Sequence, residues 1–206
     1  MHSWDVLDAV PLKPDGDVSA AFLQAGALDY RAAARFVSLL RYGRNTDPTD
    51  PLIVMRERSG TCSTKHALLR RLAVEQGMNV ALVVGIYGMH ERNTPGIGRV
   101  LNRHGLVILP EAHCYLRFRG KRIDITRPIN AVSAEPISHL LQEKDIAPEQ
   151  IGDYKTALHR EFLRQWIAEA GGRNGRSVDE LWRIREECIE ALSQQNGTAV
   201  TLTSPA

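Results

Sequence analysis

Thr61 to Gln76, TCSTKHALLRRLAVEQ, constrains the fold more than any other segment. Its apolar residues Ala67, Leu68, Leu69, Leu72 and Ala73 run almost all round a helix of 3.6 residues per turn, so this helix has no broad face to give to water. Gly77 closes it, since glycine takes up the left-handed conformation that ends helices. The next stretch, Asn79 to Tyr87, reads NVALVVGIY, a β-branched run suited to a strand buried on both faces. A helix and a strand that both demand burial must be wrapped by the rest of the chain.

The wrapping is predicted to be mainly helical at both ends. Ser19 to Leu40 carries apolar residues near the helical period, broken at Gly26 into two helices, with Asp29 as N-cap of the second. Arg44 to Pro51 reads as a loop, and Gly88 to His104, with three glycines and a proline, as a long irregular insertion. Leu106 to Leu109 and Ala112 to Phe118 are strand-like, and Lys121 to Ile125 pairs back across Arg119-Gly120 as a hairpin. Tyr154 to Ala170 and Val178 to Leu192 are amphipathic helices separated by GGRNG. Their stripes, Phe162, Leu163 and Trp166 on one and Leu181, Trp182 and Ile184 on the other, are expected to pack on their own domain. Helices, a central helix, antiparallel strands, then helices make an α+β arrangement. The expected organisation is a helical segment over 1–45, a core over 46–135, a helical extension over 136–193 and a disordered tail over 194–206.

With 43% hydrophobic and 24% charged residues, the 206-residue chain can build a core without a metal or disulfide staple. A net charge of +2 gives no reason to expect a nucleic-acid partner. Three cysteines without CxxC spacing point to a reducing compartment. Met1 to Asp17 has neither the basic nor the apolar region of a signal peptide, and no run reaches the roughly 18 apolar residues of a spanning helix. The expectation is a cytoplasmic protein with no membrane partner.

Three residues, far apart in sequence, carry the candidate chemistry. Cys62 stands at the start of the buried helix, where free backbone N–H groups and the positive end of the helix dipole favour a thiolate. His113 lies on a strand whose alternation sends Cys114, Leu116 and Phe118 to one face and His113, Tyr115, Arg117 and Arg119 to the other. If Arg119-Gly120 is a two-residue turn, Phe118 faces Lys121 and Tyr115 faces Asp124, so His113 lies diagonally across from Asp124 on one face. A carboxylate there would orient the imidazole and stabilise its protonated form.

These residues resemble the core of the transglutaminase-like superfamily of papain-related cysteine enzymes. The resemblance rests on Gly60-Thr61-Cys62-Ser63-Thr64-Lys65-His66-Ala67-Leu68-Leu69, on Ala112-His113-Cys114-Tyr115-Leu116 and on Arg122-Ile123-Asp124-Ile125-Thr126-Arg127-Pro128, in that order. It covers Arg58 to Pro128, and departs where Asp124 is followed by Ile125-Thr126 rather than by proline. It implies a papain-like core with a cysteine-bearing helix packed on an antiparallel sheet. It also implies catalytic Cys62, His113 and Asp124, a peptide or glutamine side-chain amide as substrate, and no cofactor or metal. A side-chain donor upstream of the cysteine completes the oxyanion hole in that family, which points to Asn45, with Tyr115 as a further supporting residue.

Two rival functions use the same residues. Cys62 and His66, four apart on one helix, have the spacing of zinc ligands; one of His113 or Cys114, which point to opposite strand faces, could join them, with Asp124 as the fourth ligand. A non-catalytic module would keep the triad while its groove holds a partner. His90 and His104 flank the glycine-rich insertion as residues of a substrate entrance.

Overall fold

The computed structural model describes residues 3–126, 134–169 and 175–195. Arg127 and Pro128, most of the GGRNG turn and the tail beyond residue 195 lie outside the described residues. The chain is α+β, with helices and an antiparallel sheet. By its internal contacts it divides into two units, neither contiguous in sequence.

The first unit comprises Met1–Gly85, His113–Ala131 and Gln142–Lys155. Its centre is helix α4, Cys62–Glu75, against which α1 (Asp17–Gln24), α2 (Tyr30–Leu39), α3 (Ile53–Glu57) and the 3-10 turn Pro148–Ile151 all pack. Every residue from Cys62 to Leu69 is buried. Leu68, Leu69 and Leu72 each remove a full side chain from water, a gain of roughly 1.5–3 kcal/mol apiece. Asp29 caps α2 by accepting the Ala32 N–H at 2.8 Å, and Gly77 sits at φ +63° beyond α4.

A capping box sets the start of α4. Thr64 Oγ1 accepts the Thr61 N–H at 3.0 Å, and the Thr61 hydroxyl receives the Thr64 N–H at 3.5 Å. Just upstream, two-residue strands β1 (Arg41–Tyr42) and β2 (Ser59–Gly60) pair in parallel and deliver the chain into the helix. A Cβ on Gly60 would come within 2.9 Å of Thr64 Oγ1, 3.0 Å of Lys65 Cγ and 3.1 Å of Val54 Cγ2, so the close approach requires glycine.

The sheet has the order β5-β4-β3-β6, from β3 (Ala81–Met89), β4 (Leu109–Phe118), β5 (Lys121–Ile123) and β6 (Gln142–Ile146). The β4–β5 hairpin pairs Phe118 with Lys121, Arg117 with Arg122 and Leu116 with Ile123, the register expected of a two-residue turn. Arg119 and Gly120 both have positive φ, +49° and +73°, the signature of a type I′ turn. Ile123 and Ile125 are fully buried, which turns Asp124 to the opposite side.

The second unit comprises Ile86–Ala112, Val132–Leu141 and Thr156–Ala206. There α5 (Gly98–Arg103) packs on α7 (Val178–Gln195). Arg185 of α7 holds the buried Glu111 carboxylate through two bonds of 2.9 and 2.7 Å. Of the two apolar stripes, Leu163 of α6 (Asp153–Glu169), Leu181 and Ile184 are buried, while Phe162, Trp166 and Trp182 are only half-buried.

Four features depart from the sequence expectation. The insertion contains a helix, α5, whose six residues are too few for a clear periodic signal. Only Leu109 of the expected strand Leu106 to Leu109 is a strand residue, and from there β4 runs unbroken through Pro110 into the second expected strand. Strand β6 lies in the stretch expected to be helical, and four of its five residues are exposed, so no apolar alternation marked it. The end of the expected disordered tail that is described, Gln194 and Gln195, is the last turn of α7. No helix among the described residues is long and apolar enough to cross a membrane.

Candidate active site

Cys62, His113 and Asp124 meet within the first unit. The capping box puts Cys62 at the first helical position of α4, buried at 7% exposure. The hairpin places His113 and Asp124 side by side, with His113 Nε2 2.6 Å from Asp124 Oδ2. The Cys62 thiol and the His113 imidazole are hydrogen-bonded to each other, and the Cys114 backbone N–H also donates to the sulfur. With Nε2 on the carboxylate, Nδ1 is the ring nitrogen left to the thiol. The other carboxylate oxygen, Asp124 Oδ1, accepts the Thr126 N–H at 3.0 Å and the Thr126 hydroxyl at 2.6 Å, an Asx-type turn that locks the carboxylate.

No family model, curated protein or solved structure matches this chain. The chemistry of the site is therefore read from its geometry and electrostatics.

The three groups shift one another. Burial alone would raise the Cys62 thiol pKa, but the Lys155 ammonium and the His113 imidazolium outweigh it and lower the value to about 6. Burial likewise opposes charge on His113, yet Asp124 and the Cys62 sulfur raise it to about 10. Asp124 is pushed up by desolvation and more strongly down by His113, which holds it well below the usual carboxylate range. With the thiol below neutrality and the imidazole above it, a proton shared between them sits on His113. Both shifts favour the ion pair, with thiolate on Cys62 and imidazolium on His113.

Two buried residues of α4, one turn deep, tie the site together. His66 is fully buried and accepts the Ile125 N–H at Nε2 (3.0 Å). Its Nδ1 must then carry the hydrogen, which it donates to the Cys62 carbonyl at 2.7 Å. One neutral imidazole thus links the cysteine turn to the aspartate segment. Lys65, also fully buried, donates to the Leu40 carbonyl at 2.6 Å and the Thr126 carbonyl at 3.0 Å. Burial brings its pKa down to about 8, against the pull of Asp124 and Cys62.

The remaining candidates from the sequence have other partners. Asn45 Nδ2 donates to Glu57 Oε2 at 2.8 Å and to the Ser59 carbonyl at 2.9 Å, and its Oδ1 accepts the Thr64 hydroxyl at 2.7 Å. Both amide hydrogens are committed, so Asn45 braces the loop under Cys62 rather than presenting a donor to an oxyanion. Tyr115 is buried and its hydroxyl donates to Glu143, not toward the thiol. Both ring nitrogens of His66 are hydrogen-bonded, and among the described residues no group of three or more His, Cys, Asp or Glu is arranged to hold a metal ion. His90 and His104 belong to the second unit, where His104 Nε2 meets Glu187 Oε2 at 3.0 Å.

Lys155, Ser63 and Lys65 went unrecognised in the sequence. Lysines read as solvated, and nothing local signals that Lys65 and Lys155 are at 0% and 8% exposure. Thr126 was recoverable, since Asp-x-Thr is the spacing of an Asx turn.

Proposed function

We propose that this chain is a cysteine hydrolase or acyltransferase of the transglutaminase-like kind, acting on peptide or glutamine side-chain amides through a thioester. One observation carries the reading: the His113 imidazole lies between the Cys62 thiol and the Asp124 carboxylate, in hydrogen-bond contact with both.

Thiolate Cys62 attacks the amide carbonyl carbon, the S–C bond forms, and the carbonyl π electrons move to oxygen. The Cys62 N–H, at the first position of the helix, lies ahead of the internal hydrogen-bond ladder and suits an oxyanion donor. As the tetrahedral species collapses the C–N bond breaks, and imidazolium His113 gives its proton to the departing amine. Neutral His113 then takes a proton from water, or from an acceptor amine, as that nucleophile attacks the thioester. The C–S bond breaks, and thiolate and imidazolium are restored. Asp124 holds the ring through Nε2 in both half-reactions and stabilises its charged form.

Intact-mass measurement of covalent labelling by a haloacetamide tests this. Wild type is expected to be labelled at Cys62 rapidly near neutral pH, and His113→Ala at least about tenfold more slowly, the scale of one lost pKa unit of activation. Equal rates in the two proteins would show that His113 does not activate the thiol.

A further inference from the structure

A second set of contacts reaches the Cys62 sulfur, built from residues that the triad does not use. Lys155, in the first turn of α6, is buried at 8% exposure and donates from Nζ to Ser63 Oγ at 2.9 Å. Ser63 is buried too, and its Oγ lies 3.9 Å from Cys62 Sγ, within the longer reach of a hydrogen bond to sulfur. The direction of this chain follows from chemistry. An ammonium only donates, so Ser63 Oγ receives from Lys155, and against a thiolate, which only accepts, the Ser63 hydroxyl is the donor to the sulfur.

We propose that Lys155 and Ser63 form a second activating arm of the candidate site, in which a buried ammonium acts through the serine hydroxyl to hold negative charge on the Cys62 sulfur independently of His113. This rests on the thiolate reading above and extends it. Lys155 is here a positioning residue. Its ammonium makes the surroundings of the sulfur cationic, which favours an acyl donor with negative charge close to the scissile carbonyl. The arm also places a positive charge beside the site at the stage when charge leaves sulfur for the carbonyl oxygen, a position that Asn45 does not fill.

The groups that bear on the thiol are few. His113 comes from β4 with Asp124 behind it, Lys65 and the neutral His66 lie on the thiol's own helix, and Lys155 comes from α6. Of the cations, Lys65 is held by the carbonyls of Leu40 and Thr126, so Lys155 is the lysine whose side chain is directed at the cysteine turn.

The test is the pH dependence of Cys62 alkylation by iodoacetamide in wild type, Lys155→Met and Ser63→Ala, with folding checked by circular dichroism. Lys155→Met is expected to move the titration midpoint upward by about one unit or more, the usual effect of losing one opposite charge a few ångströms away. Ser63→Ala is expected to move it in the same direction by a smaller amount. The ratio of iodoacetate to iodoacetamide rates should also fall severalfold in Lys155→Met, because the anionic reagent loses the local positive field. A midpoint unchanged in either folded variant overturns the arm, and where one variant does not fold the other decides. A wild-type midpoint near the ordinary thiol value of about 8.5 would instead sink the thiolate reading itself.

Discussion

His66 makes the protein acid-sensitive in a window that can be worked out from its surroundings. The ring is fully buried and fixed in the neutral tautomer by the Cys62 carbonyl and the Ile125 N–H. Burial, only partly opposed by Asp124, lowers its pKa from 6.5 to about 4. An unfolded chain therefore takes up this proton near pH 6.5 and the folded protein only near 4. Between those values the unfolded state binds more protons, so stability falls as the pH falls and is untouched by this group above pH 7. At about 1.36 kcal/mol per proton per pH unit, His66 removes about 2 kcal/mol of stability between pH 7 and pH 4.5. Most of the window is clear of its neighbours: Cys62, its thiol lowered to about 6, loses stabilisation on acidification only above that value, and does so in wild type and variant alike. His113 has a raised pKa, so its contribution is fully present below 6.5 and is lost only as pH rises toward about 10. Asp124, held low, keeps its contribution until the pH falls below the ordinary carboxylate range. Urea unfolding of wild type and His66→Gln at about pH 7, 5.5 and 4.5 measures the difference directly. The variant, which cannot charge, is expected to start less stable at pH 7 because one imperfect hydrogen bond costs about 1 kcal/mol. It should then lose about 2 kcal/mol less than wild type on acidification. Parallel stability curves for the two proteins would refute the buried neutral imidazole and the bridge built on it.

The remaining predictions concern the two ends of the candidate site. Asp124→Asn removes the countercharge from His113, so the Cys62 alkylation midpoint should rise by about one unit; an unmoved midpoint would show that the carboxylate does not act through the imidazole. Gly60→Ala places a methyl group against Thr64 Oγ1, Lys65 Cγ and Val54 Cγ2, and should destabilise the fold by about 1–3 kcal/mol while slowing Cys62 labelling. Full stability with unchanged labelling would mean that the strand-to-helix junction is looser than its contacts indicate.

The parts of this protein legible in its sequence are those governed by neighbours along the chain. Apolar residues round α4 demanded a buried helix, Asp29 and Gly77 marked boundaries, and Arg119-Gly120 set a hairpin register that puts His113 beside Asp124. Each depends on backbone preferences over a few residues. What surrounds the cysteine depends on contacts across long stretches of chain. Lys65 is buried because the Leu40 and Thr126 carbonyls receive it, and Lys155 because Ser63 lies beneath it, 92 residues away in sequence. Asn45 had the right identity for an oxyanion donor, but Glu57, Ser59 and Thr64 converge on it and use its amide. Strand β6 is polar on four of five residues and becomes a strand only because an edge of the sheet is open to it. A polar side chain's role is set by whichever partners the fold brings within about 3 Å, the reach of a hydrogen bond. Periodicity carries no record of those partners.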